Sequence, residues 1–157
     1  MKQINFKSLL FHLLVPIMLS FIISMLIGDY SEYYDSLVKP VNVGRTVFPI
    51  VWSILYLLMG ISAYIVDNSD NVDSEKAMSY YYIQLALNLL WTPLFFYFKL
   101  RGASVILTVA LLVFVLITAY KFYNINKVSG LLFIPYMLWT IFALYLTTGI
   151  YFLNLNM

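Results

Sequence analysis

The chain has 157 residues, 63% of them hydrophobic and 10% charged, with a net charge of +2. A mean hydropathy of +0.89 leaves too little polar surface to cover a soluble domain, so the sequence reads as an integral membrane protein. The few charges form no basic block, which argues against nucleic acid as a partner, and the absence of cysteine excludes disulfides and thiolate chemistry.

Apolar runs of about 20 residues, the length that crosses a hydrocarbon core roughly 30 Å thick, can be placed five times with short connections. The expected fold is all-α: a single domain over residues 1–157, an integral membrane bundle of five transmembrane helices at about 6–28, 46–66, 77–98, 103–122 and 129–153. Lys2 and Lys7 precede the first run, whose length exceeds that of a signal-peptide core and predicts an uncleaved multi-pass protein. Pro16 lies inside this helix, where a kink is tolerated if neighbours satisfy the freed carbonyl. His12 is the helix's unusual residue, and haem or metal ligation stands beside plain hydrogen bonding as its two readings.

The first loop, from Asp29 to about Thr46, is the longest and chemically the most mixed. Such a loop is functional or mobile, a candidate lid. Its Lys39 and Arg45 either pair with ligand carboxylates or snorkel to the interface. Helix two begins FPIVWSILYLLMGISAY from Phe48. Residues four apart share a face, so Trp52, Tyr56 and Gly60 form one stripe, aromatic at one end and thin in the middle. The thin part either borders a flat ligand or admits a neighbouring helix. The acidic turn around 67–76 lacks the glycine and glutamate spacing of an EF-hand and is a solvated connection. No metal site is expected.

Helix three carries Gln84, Asn88, Trp91, Thr92 and Pro93, then the rings of Phe95 to Phe98. Amides at that depth need partners, either a ligand or another helix. Helix four is nearly featureless and faces lipid or closes the bundle. Helix five sets Trp139 one turn before Ala143, a large ring beside a small side chain, and Ala143 and Thr147 allow close helix contact.

Three segments, FPIVWSILYLLMGISAY, QLALNLLWTPLFF and IPYMLWTIFALYL, with Lys39-Pro40 ahead of them, together resemble the TspO/MBR family of tryptophan-rich sensory and translocator proteins over essentially the whole chain. The resemblance implies a five-helix bundle with a pocket capped by the first loop, commonly a homodimer, that binds porphyrins such as protoporphyrin IX and related apolar ligands. Matching the motifs places Trp52, Tyr56, Asn88, Trp91, Trp139 and Ala143 around that pocket. Porphyrin enters as ligand and no cofactor is required; a regulatory or transport role fits the same site. The alternative is an enzyme-like, light-dependent oxidative degradation of bound porphyrin through Trp52 and Trp139. In a bacterium the resemblance implies the cell membrane. The chain departs from the pattern in two places. Val41 to Arg45 stands where the family has Trp-x-Pro-Pro, which bears on porphyrin affinity and loop rigidity, and no cation follows Tyr145 or Tyr151, so cholesterol recognition is not expected.

Overall fold

The structure is a computed structural model and describes residues 5–156; Lys2 lies outside them. Helix α1 (Phe6–Ile27) leads through a short α2 (Ser31–Ser36) to α3 (Val47–Asp67); α4 (Ser74–Thr92) runs into a π-turn (Pro93–Tyr97), and α5 (Arg101–Ile125), α6 (Lys127–Leu132) and α7 (Ile134–Leu153) follow. The five expected helices are all present, within a few residues of their expected bounds. Successive rods run antiparallel, so the first loop, the π-turn and the end of α7 gather at one end of the bundle. The turns after α3 and α5 gather at the other.

Two of the rods are interrupted, and proline accounts for both breaks. Pro93 has no N–H to give the turn before it, and the ladder slips to a wider register in which Phe98 N–H donates to the Pro93 carbonyl at 2.9 Å. Pro135, at the start of α7, cannot bond back to Leu131, and the fifth rod bends at Phe133, between α6 and α7. By length and composition four helices suffice to cross a membrane: Phe6–Ile27, Val47–Asp67, Arg101–Ile125 and Lys127–Leu153. The remaining rod, α4, is more polar because it occupies the middle, packed against α5, α3 and α1. Tyr81, Gln84 and Asn88 are buried against protein, while Tyr82 on the other side of α4 is exposed.

The peripheral helix is α1, whose buried residues are His12 and Pro16. It crosses α3 at Gly60, where an added Cβ would stand 2.6 Å from the His12 carbonyl oxygen. The thin part of the Trp52–Tyr56–Gly60 stripe is thus filled by a helix backbone. Of the two readings, helix packing holds there. Of the two readings of helix four, facing lipid or closing the bundle, α5 closes the bundle on one side, and that side is not featureless. Ser104, Thr108, Leu111, Val115, Thr118 and Phe122 are buried in it, a spacing of alternating fours and threes that seats one stripe against α4 and α7. Ser104, Thr108 and Thr118 return their hydroxyls to the carbonyl four residues back, so the stripe stays thin without leaving a buried hydroxyl unpaired. The opposite side of α5, with Ile106 and Val113 exposed, is left for lipid.

Candidate functional site

The site is built from a polar relay and the rings above it. Tyr56 of α3 donates its hydroxyl to Asn88 Oδ1 of α4 at 2.8 Å, Asn88 Nδ2 donates to Tyr136 Oη of α7 at 3.0 Å, and Tyr136 donates to Gln84 Oε1 at 2.8 Å. The direction is fixed by inventory, since each phenol has one proton and each amide oxygen can only accept. Turning the Gln84 amide over would aim two donors at Tyr136 and leave the phenol proton without an acceptor. The relay therefore ends with Gln84 Nε2, fully buried and without a partner among the described residues. Unmatched buried donors are uncommon because each costs about 1–3 kcal/mol.

Trp52 covers this relay. Its ring stacks on Tyr56 with centroids 5.5 Å apart and meets Tyr136 edge-on at 6.1 Å. Trp139, one turn beyond Tyr136 on the same rod, packs edge-on against Phe48 at 6.1 Å and tilts against Phe142 at 5.4 Å. Both tryptophans are half-buried, so each keeps part of its ring free. Ala143 is half-buried a turn past Trp139. Trp91 belongs to a second layer nearer the first loop, stacked on Phe95 at 4.8 Å with only 10° between the ring planes and edge-on to Phe96 at 5.7 Å. Phe48 joins the layers, touching Trp139 on one side and Tyr34 of α2 on the other, while Tyr34 reaches Phe96.

Of the expected residues, Trp52 stacks on Tyr56 and Tyr56 bonds to Asn88, whereas Trp139 is tied through Phe48 to Tyr34 of the first-loop layer, where Trp91 also sits. The two readings of the helix-three amides resolve toward helix contact, because Asn88 and Gln84 both spend hydrogen bonds on tyrosines of other helices. Asn88 keeps one amide N–H and one lone pair beyond the relay. Tyr136 is the residue that sequence reasoning passed over. The signal was available: a tyrosine in an apolar helix needs a partner for its hydroxyl, and two amides in another helix needed partners too.

The first loop caps this end. Asn154, just past α7, accepts the Val38 N–H at 2.9 Å and donates to the Val38 carbonyl at 2.8 Å, as a neighbouring strand would. Pro40 lies so close to Gly149 that an added Cβ there would meet Pro40 Cγ at 2.5 Å. Lys39 donates to the Leu37 carbonyl at 3.0 Å and lies 4.5 Å over the Tyr34 ring, and Arg45 meets Asp35 at 3.4 Å. Both cations thus have partners within the cap. Burial pushes the Tyr34 phenol above its ordinary pKa. The hydroxyls of Tyr33 and Tyr34 and the Trp91 indole N–H are buried without partners among the described residues.

His12 lies at the far end, where its Nε2 meets Asp67 Oδ2 at 3.0 Å. Hydrogen bonding is the reading realised, and no group of three metal-ligating side chains surrounds it among the described residues.

A family model described as TspO/MBR matches residues 12–153. The tryptophan-rich sensory protein of Cereibacter sphaeroides is 38% identical over 109 residues, covering 69% of this chain and 68% of that protein. The tryptophan-rich protein TspO of Chlorobaculum tepidum is 36% identical over 127 residues, with 79% and 80% covered, and the translocator protein of Sus scrofa is 30% identical over 135 residues, with 83% and 80% covered. A match running from His12 in the first helix to the last turn of α7, shared with relatives from bacteria and mammals, makes the chain an integral membrane protein of the TspO/MBR family.

Proposed function

We propose that this chain is a multi-pass receptor for a flat, mostly apolar tetrapyrrole of the protoporphyrin IX or haem type, held in the first-loop half of the bundle by α3, α4 and α7. In a bacterial cell it works in the cell membrane as a homodimer, with a regulatory or transport role. The observation that carries the reading is the pairing of half-buried indoles with unmatched donors. Trp52 and Trp139 offer ring faces, while Gln84 Nε2 and Trp91 Nε1 are buried and unspent. Apolar walls with a few placed polar groups are what a small-molecule site needs. Asn88 contributes by fixing Tyr56 and Tyr136 beneath the Trp52 ring and by its remaining N–H. Ala143, one turn past Trp139, carries only a methyl group on the same helix face.

The test is a titration of the detergent-solubilised protein with protoporphyrin IX, followed by quenching of tryptophan fluorescence. Saturable quenching is expected, weakened roughly three- to tenfold in Trp52→Phe and Trp139→Phe, the loss that an aromatic contact of about 0.5–1.5 kcal/mol implies. Quenching that rises linearly without saturation sinks the reading.

Oxidative breakdown of bound porphyrin through Trp52 and Trp139 is the second reading, favoured by the ring contacts of Trp52 with Tyr56 and Tyr136. Both phenols, however, give their protons to amide oxygens, which are too weakly basic to take them, so a hole on Trp52 has no easy onward step to tyrosine. Bleaching of bound porphyrin under light in the wild type, abolished in Trp52→Phe with binding retained, would put this reading first.

A further inference from the structure

A cavity of about 510 Å³ opens between the end of α1, α2 and the π-turn, on the outer side of the aromatic cap. Phe96 forms the wall between it and Trp91, with Tyr30 stacked on its outer face at 4.0 Å. The volume falls within the range of roughly 300–1,000 Å³ usual for small-molecule sites. Its chemistry is unlike that of the tryptophan site. Asp29 and Glu32 supply two carboxylates, Lys99 one ammonium, and Tyr30 and Tyr33 supply rings.

These charges are held apart instead of cancelling. Asp29 accepts the Ser31 N–H at 2.8 Å, a bond that keeps its carboxyl below the usual carboxylate range. Lys99 Nζ stands 4.9 Å over the Tyr33 ring. Neither carboxylate has a cation within ion-pair distance among the described residues. The cavity also sits at a boundary. Ile27, the last residue of α1, lines it, and the turn just before carries Met25 and Leu26, which are 68% and 78% exposed. Apolar surface made for acyl chains thus stops where the charges begin.

We propose that this cavity holds the headgroup of a zwitterionic aminophospholipid of the phosphatidylethanolamine type. The primary ammonium lies between Asp29 and Glu32, the phosphate meets Lys99, and the chains run down the outer face of α1. The net charge of the lining set, one negative, disfavours anionic headgroups such as phosphatidylglycerol. Carboxylates reward an ammonium that can donate N–H bonds, which the trimethylammonium of phosphatidylcholine cannot. This assignment is separate from the porphyrin reading and stands or falls without it.

The full-length protein in nanodiscs of equal parts phosphatidylethanolamine, phosphatidylcholine and phosphatidylglycerol would be released and its retained lipid identified by native mass spectrometry. Phosphatidylethanolamine is expected in about tenfold excess over either competitor, the ratio that one charge-assisted hydrogen bond confers. The double variant Asp29→Asn with Glu32→Gln, which keeps an acceptor for Ser31, should bring the ratio close to one, whereas Lys99→Gln, which loses a contact to the phosphate that all three lipids carry, should lower the total lipid retained by several fold and leave the ratio of phosphatidylethanolamine to phosphatidylcholine nearly unchanged. Retention of the three lipids in equal amounts by the wild type, or an unchanged preference in the double variant, overturns the proposal. Displacement of the lipid by an equal concentration of free phosphoethanolamine overturns the lipid assignment, since the acyl chains would then add nothing.

Discussion

The two ends of this bundle are held by different means. At the end away from the first loop, polar groups are paired across helices: His12 with Asp67, Asn68 with Ser8, the Asn5 N–H with the Tyr64 hydroxyl, and Ser62 with Ser129 through reciprocal bonds to each other's carbonyls. At the first-loop end rings meet rings, and among the described residues the buried donors of Tyr33, Tyr34 and Trp91 have no partner there, with Gln84 Nε2 unmatched midway along α4 and the Tyr81 hydroxyl unmatched one turn nearer the other end. Inside a membrane an unpaired donor is costly, and most of those among the described residues lie from the middle of the bundle to the first-loop end, the half proposed above to bind a ligand. The paired half is a foundation, which lets the other half keep unspent hydrogen bonds without losing the fold.

The largest expected effect comes from breaking the foundation. In Gly60→Val a Cβ is forced toward the His12 carbonyl, its carbon and Leu13 Cα, all within 3.0 Å. These are backbone atoms and cannot swing aside, so α1 must move off α3 and the His12–Asp67 bond must stretch. Overpacking of this kind costs about 1–3 kcal/mol, and the resisting atoms are backbone, which places the loss at the upper end. Thermal unfolding in detergent should show a large fall in midpoint; a midpoint matching the wild type would mean that the far end is no foundation.

A smaller effect tests the relay that divides the halves. Tyr136→Phe removes one hydroxyl and strands two groups, the Asn88 N–H and the Gln84 carbonyl, in a fully buried place. The expected loss is about 1–3 kcal/mol, with the ring packing against Trp52 preserved. Because Gln84 would then have its whole amide unspent, porphyrin affinity should change more in this variant than its stability does. Equal stability of Tyr136→Phe and wild type would show that water already serves the relay.

Much of this division is legible in the sequence, and the limits have physical causes. Helix number and bounds follow from apolar run length, which is a local property. The amides Gln84 and Asn88 announce themselves because polar side chains in an apolar helix need partners, but the partners, Tyr56 and Tyr136, lie 32 and 48 positions from Asn88 along the chain, and nothing local states which helix supplies them. Gly60 reads equally well as a gap for a ligand or for a backbone, since the same missing side chain serves both. The stripe on α5 is present in the spacing of Ser104, Thr108, Leu111 and Val115, yet it is hidden because lipid and helix surfaces are both apolar. Asn154 is invisible as a loop clamp: from sequence it is a residue at a helix end.

The smallest effects lie in the cap itself, where Asn154→Ala and Arg45→Ala separate two kinds of fastening. Asn154 is 1% exposed and serves both the N–H and the carbonyl of Val38, so its loss strands two backbone groups and should cost about 1–2 kcal/mol of local stability. The Arg45–Asp35 pair is more than half exposed on both sides, and a surface pair of this kind is worth about 0–1 kcal/mol. Hydrogen exchange at the Val38 amide reads the difference directly, because a local opening that becomes cheaper exchanges faster. Asn154→Ala should speed that amide by roughly five- to thirtyfold, in line with 1–2 kcal/mol, while Arg45→Ala leaves it nearly as slow as in the wild type. If both variants speed it equally, the cap opens as one rigid flap hinged at α2, and Asn154 is one latch among several. If only Asn154→Ala does, the segment after Pro40 moves while Leu37 and Val38 stay seated, and the proposed ligand would enter through the stretch Val41 to Arg45, where this chain departs from the family's Trp-x-Pro-Pro.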